Sequence, residues 1–144
     1  MYLLDTSVVL EFLLDQEEAD DVQALLENVP GEMLRITEFT LYSTGILLLR
    51  RKLADRLLEF VEDFLDTGAV RVIRLSHGEM ANIVQAASRC RLDFDDAYQC
   101  VAAEKHDLTL VSFDTDFDRT ERGRKTPADV LKKLQEPPEN RGNM

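Results

Sequence analysis

Aspartates stand where apolar runs stop at two widely separated places in the chain. Met1-Tyr2-Leu3-Leu4 ends on Asp5, and Leu110-Val111-Ser112-Phe113 ends on Asp114, with Asp116 two residues further on. A third acidic group, Asp93-Phe94-Asp95-Asp96, opens the apolar segment that leads into the Leu110 run. Carboxylates brought together repel one another unless a cation lies between them, and hard oxygen donors select Mg²⁺ or Mn²⁺ over zinc. Convergence of these three places would therefore make a divalent-metal site. A carboxylate-held ion that keeps its waters suits a phosphate, so hydrolysis of a phosphodiester is the leading chemistry. No glycine-rich phosphate loop, Ser-His-Asp set or Cys-His pair competes, because His77 and His106 lack a matching nucleophile context.

Each acid also has a plainer reading. Asp5 can serve as the N-cap of a following helix, and Asp96 as a favourable charge at a helix start with Asp93 and Asp95 as exposed loop acids. Asp114 and Asp116 can form an Asx turn. Only the joint arrangement carries the chemical reading.

The elements that would position these acids alternate along the chain. Residues 1–4 and Met33–Ile36 read as short buried strands, Val70–Leu75 as a third and Leu108–Phe113 as the strongest. Between them lie helical patterns. One follows Asp5-Thr6-Ser7, one runs from Glu17 to Val29 and stops at Pro30-Gly31, and one runs from Glu38 through Leu49 behind a Thr37 cap. Leu53, Leu57, Leu58, Val61, Phe64 and Leu65 mark another, ended by Thr67-Gly68. Ser76-His-Gly-Glu79 has capping-box spacing ahead of a stripe of Met80, Ile83, Val84 and Ala87. Residues 89–96 read as a loop before a helix from Ala97 to about Glu104, and Thr126-Pro127 begins a last helix to Leu134. Strands alternating with helices predict a parallel sheet covered on both faces, a three-layer α/β/α sandwich. In such sheets sites form beyond the carboxyl ends of the strands, where Asp5 and Asp114 fall.

The 144 residues suit one domain, expected over 1–135, with a flexible C-terminal tail over 136–144. No apolar run approaches a membrane span, and the N-terminus lacks the basic and apolar regions of a signal sequence, so a cytoplasmic location is expected. Cys90 and Cys100 lack zinc-site companions and read as buried thiols. The net charge of −11 argues against generic nucleic-acid binding. Clusters at Arg50-Arg51-Lys52 with Arg56, at Arg71 and Arg74, and at Arg119, Arg122, Arg124 and Lys125 offer local basic patches that can outweigh the total, although an exposed basic run is more often a solvated face.

Taken together, these residues resemble the PIN-domain nuclease family, in particular its small single-domain toxins of VapC type. The resemblance extends from Leu3 to about Leu131. It rests on Leu4-Asp5-Thr6-Ser7-Val8, on Asp96-Ala97 with the following Ala102-Ala103-Glu104, and on Leu110-Val-Ser-Phe-Asp-Thr-Asp-Phe117. It implies a Mg²⁺- or Mn²⁺-dependent ribonuclease in which Asp5, Asp96 and Asp114 are catalytic and metal-binding, Asp116 is a further metal contributor, and the Thr6 or Ser7 hydroxyls stand close to the ion. It also implies an RNA substrate, an antitoxin protein partner and a homodimer. The chain departs from the family pattern in the helix after the second strand, where Ser43 takes the place expected for a glutamate. Glu38 is the only acid in that helix, five residues earlier. Five residues rotate by about 500°, about 140° net, so Glu38 and Ser43 point in different directions. Asp93 and Asp95 are the other acids available to compensate. The alternative expectation is a catalytically weak or inactive PIN-like binding or assembly module, whose apolar helix from Phe39 to Leu49 supplies a partner surface.

Overall fold

The apolar runs that precede the acids become short parallel strands. In the computed structural model, which describes residues 1–136, β3 (Arg71–Ile73), β2 (Leu34–Thr37), β1 (Tyr2–Leu4) and β4 (Thr109–Val111) lie side by side in that order. Past Glu136 the expected tail lies outside the described residues. Helices α1 (Thr6–Leu13) and α2 (Ala19–Asn28) carry the chain from β1 to β2. The next crossover consists of α3 (Glu38–Arg50) and α4 (Ala54–Phe60), extended by a π-helical turn over Val61–Leu65, and leads outward to β3. Then α5 (Met80–Cys90) and α6 (Phe94–Lys105) return past β1 to β4, before α7 (Pro127–Leu134). The direction of winding thus reverses between β1 and β4, the place beyond whose strand ends sites form in such sheets.

Strand periodicity decides which residues face each helical layer. Leu3 and Leu110 pack with Ile83, Ala97, Val101 and Ala102 on the α5–α6 side. Leu4, Val111, Leu34 and Ile36 pack with Val8, Leu25, Leu48, Phe60 and Val130 on the other. Helices therefore cover both faces, giving the expected three-layer sandwich. Because side chains alternate, Asp5 returns to the face of Leu3, and Thr37 lies opposite Ile36 on the side of α6.

Several boundaries differ from the sequence reading. The strand expected over Val70–Leu75 pairs only through Arg71–Ile73 and lies at the sheet edge with Arg71 and Val72 exposed. The loop expected over 89–96 shrinks, since α5 continues to Cys90, Arg91 turns in the left-handed region at φ 54°, and α6 begins at Phe94. Ser76 makes no side-chain cap. Glu79 is drawn elsewhere, accepting from Asn82 Nδ2 at 2.8 Å and pairing with Lys105 Nζ at 3.0 Å, so the capping box does not form. The Thr37 and Thr126 caps do form, the latter reciprocated by Asp129. Cys90 and Cys100 are buried and free. Among the described residues no helix is long and apolar enough to cross a membrane.

Candidate metal centre

Three carboxylates meet at the end of β4. Asp96 comes from the first turn of α6, Asp114 follows β4, and Asp116 belongs to the 3-10 turn Thr115–Arg119. Each offers an oxygen within 4.8 Å of the other two. The Asx turn expected of Asp114 is present, because its Oδ1 accepts the Asp116 amide at 2.9 Å. That bond is also what folds Asp116 back beside Asp114, so the local-turn and shared-site readings describe one structure. Arg119 holds the turn against the α5–α6 connection, donating Nε to Cys90 O at 3.1 Å and Nη2 to Arg91 O at 2.7 Å, with Nη1 at 3.4 Å from Asp116 Oδ1.

The electrostatics strain the cluster when no cation balances it. Burial above all, then the negative charges of Asp114 and Asp5, push the Asp96 carboxyl up to about 7. The donor chemistry fits a hard divalent ion. Octahedral Mg²⁺ bonds oxygen at about 2.1 Å, so its ligands lie about 3–4 Å apart, and the three oxygens here lie within 4.8 Å of one another.

Asp5 stands outside that group of three and is held by a different set. The residue is only 4% exposed. Ser7 Oγ and Ser112 Oγ both donate to Oδ2 at 2.8 Å. Gln99 Nε2 donates to Oδ1 at 3.1 Å. Although Asp5 occupies the N-cap position of α1, its side chain makes no capping bond. The hydroxyls turn it inward instead, and its backbone amide extends the sheet by donating to Val111 O at 2.9 Å.

The hydroxyls of α1 and α3 complete the floor. Thr6 Oγ1 meets Thr40 Oγ1 at 2.9 Å, and Thr40 Oγ1 also accepts from Gln99 Nε2 at 2.7 Å. Glu38 is half-buried in the first turn of α3 and is not among the clustered acids. Ser43 is half-buried further along the same helix, whereas Asp93 and Asp95 are exposed and also lie outside the cluster. Sequence reasoning missed Gln99, Thr40 and the role of Ser112. Gln99 follows Asp96 by three residues and so lies on nearly the same side of α6, a signal that was present.

Three arginines of the 119–125 cluster bond to backbone carbonyls, Arg119 and Arg124 near the acids and Arg122 at the entry to β4. Arg122 Nη2 bonds Asp107 Oδ1 at 3.0 Å and Leu108 O at 3.1 Å, and Arg124 Nη1 bonds Ser112 O at 3.1 Å. Together with Arg119 they staple loops, while the Arg119 and Arg122 side chains stay 37% and 40% exposed and Lys125 is exposed.

A parallel sheet wound in both directions from β1, with acids gathered beyond the strand ends, defines an α/β protein of the acidic-site class. Residues 2–123 match the PIN domain family, and the chain belongs to it. No curated protein sequence matches it significantly. Among solved structures, a toxin–antitoxin complex from Klebsiella pneumoniae aligns at TM-score 0.69 and 20% identity, over 88% of this chain and 98% of that one. FitAcB from Neisseria gonorrhoeae aligns at TM-score 0.71 and 25% identity, over 89% and 99%. VapC20 from Mycobacterium tuberculosis, described as a sarcin–ricin loop cleaving toxin, aligns at TM-score 0.70 and 20% identity, over 82% and 93%. These likenesses bear on the fold.

Proposed function

We propose that this chain is a metal-dependent endoribonuclease, the toxin of a toxin–antitoxin pair, acting in the cytoplasm as a homodimer. The observation that carries the chemistry is the meeting of Asp96, Asp114 and Asp116 within 4.8 Å at the strand-order reversal of a PIN domain. The toxin reading is supported by the likeness to toxin–antitoxin structures. Asp96, Asp114 and Asp116 would hold Mg²⁺ or Mn²⁺, with Asp5 beside them as an acid fixed by hydroxyl and amide donors. The bound ion supplies a polarised water and offsets charge at the phosphate. Asp96 must be deprotonated to serve as a ligand, and its raised pKa makes that release part of ion binding.

The test is cleavage of a mixed RNA substrate by purified protein titrated with Mn²⁺ and Mg²⁺. Metal-dependent cleavage lost in Asp5→Asn, Asp96→Asn and Asp114→Asn, each still folded by circular dichroism, is expected. Cleavage that persists in all three variants, or that proceeds fully in chelator, overturns the reading. Tight ion binding without turnover favours the assembly-module reading, for which Ser43 in place of an acid is the motive.

A further inference from the structure

Gln99 is 2% exposed on a helix whose other buried residues, Ala97, Cys100, Val101, Ala102 and Ala103, carry no amide or charge. Burying a primary amide is unfavourable unless its hydrogen bonds are made, and a methionine of similar length would satisfy packing alone. Every polar atom of this side chain is used. Oε1 accepts from Thr37 Oγ1 at 2.9 Å, while Nε2 donates to Thr40 Oγ1 at 2.7 Å and to Asp5 Oδ1 at 3.1 Å. The orientation of the amide follows from charge, since the flipped form would set a carbonyl oxygen against a carboxylate.

We propose that Gln99 is a positioning residue for the metal centre, holding the Asp5 carboxylate in one orientation and tying it to the start of α3. The inference rests on the metal-dependent reading above. Both serine hydroxyls donate to Oδ2, so that oxygen is largely spent, and Gln99 is what fixes Oδ1. A carboxylate oxygen accepts about two hydrogen bonds, so Oδ1 keeps acceptor capacity for the ion or one of its waters. Thr37 is the anchor at the other end: it caps α3 through Thr40 N at 3.0 Å and donates to the Gln99 carbonyl. The family-expected acid of α3 is absent, and α3 reaches Asp5 through neutral groups, Thr37 and Thr40, relayed by Gln99.

The experiment is Mn²⁺ titration of the full chain followed by electron paramagnetic resonance, in wild type, Gln99→Met, Asp5→Asn and the double variant. Loss of a partner that orients a metal ligand typically weakens binding by at least about tenfold, the expected effect of Gln99→Met. In the Asp5→Asn background the same change is expected to alter affinity less than about twofold, because Gln99 acts through Asp5. Thr37→Val should weaken binding in the same direction and Thr37→Ser should restore it, which keeps the inference open to refutation if Gln99→Met does not fold. Unchanged affinity in Gln99→Met and Thr37→Val, or an equal loss with and without the Asp5 carboxylate, overturns the positioning role while the metal reading stands. Wild-type protein that binds no Mn²⁺ overturns both.

Discussion

Ser112 Oγ lies 2.8 Å from Asp5 Oδ2 across 107 residues of sequence, and the same hydroxyl accepts the Asp114 amide at 2.9 Å. One buried side chain thus joins the ends of β1 and β4 at the reversal of the sheet. Ser112→Ala leaves a buried carboxylate with one donor fewer and the Asp114 amide without its partner. Bonds to charged groups are worth about 1.5–3 kcal/mol, so a stability loss of about 2 kcal/mol is expected by urea denaturation. Ser7→Ala should cost less, because Ser7 is only half-buried and water can replace its hydroxyl.

The Asp96 carboxyl makes stability depend on pH. Its pKa is raised from 3.8 to about 7, chiefly by burial and then by Asp114 and Asp5. A raised acid binds more protons in the folded than in the unfolded state between those values, so stability in chelator should fall as pH rises from about 4 to about 7. The dependence flattens above the folded pKa. Thermal unfolding across this range should show the decline in wild type and a shallower one in Asp96→Asn. At neutral pH that variant should be the more stable of the two while failing to bind the ion. A decline of equal steepness in both would assign the effect to other groups.

Cap chemistry offers a control remote from the acids. Thr126 Oγ1 accepts the Asp129 amide at 3.1 Å, and Asp129 Oδ2 in turn accepts from Thr126 N at 2.9 Å. This start of α7 places Val130 in the core with Leu4 and Val111. Thr126→Ala should cost about 1 kcal/mol, lowering the melting temperature by about 2–4 °C, with Mn²⁺ affinity unchanged.

The contrast between these caps shows what a sequence can carry. Thr126-Pro127 has its partner three residues away, so local pattern suffices. Ser76-His-Gly-Glu79 has the same spacing, but Lys105 from α6 and Asn82 claim Glu79, and competition from a distant element is invisible locally. The strand ends at Asp5 and Asp114 and the helix start near Asp96 were legible because apolar runs stop there, and with them the three-layer arrangement. Strand order was not, since Leu3, Ile36 and Leu110 carry no record of which strand they pair with. The structural use of the basic cluster was hidden for a related reason: Arg119, Arg122 and Arg124 bond to carbonyls that are reached only after folding. Gln99 was hidden because its three partners come from the end of β1, from β2 and from α3.

Binding of the proposed ion should be visible as stabilisation independent of any substrate. Asp96, Asp114 and Asp116 repel one another across less than 4.8 Å, and a divalent cation converts that repulsion into attraction. A ligand that binds only the folded state at 100 times its Kd stabilises by about 2.7 kcal/mol, which for a chain of this size corresponds to about 5–10 °C in melting temperature. Mn²⁺ should therefore raise the melting temperature at pH 8 and chelator should reverse the rise. At pH 5, where Asp96 is protonated, the same concentration should give a much smaller shift, since the ion must displace a proton to bind. Asp114→Asn removes one of the three charges and should abolish most of the shift at either pH. Glu38→Gln should leave it within about 1 °C, because Glu38 stands outside the cluster. A shift in Asp114→Asn as large as in wild type would place the ion elsewhere on the molecule.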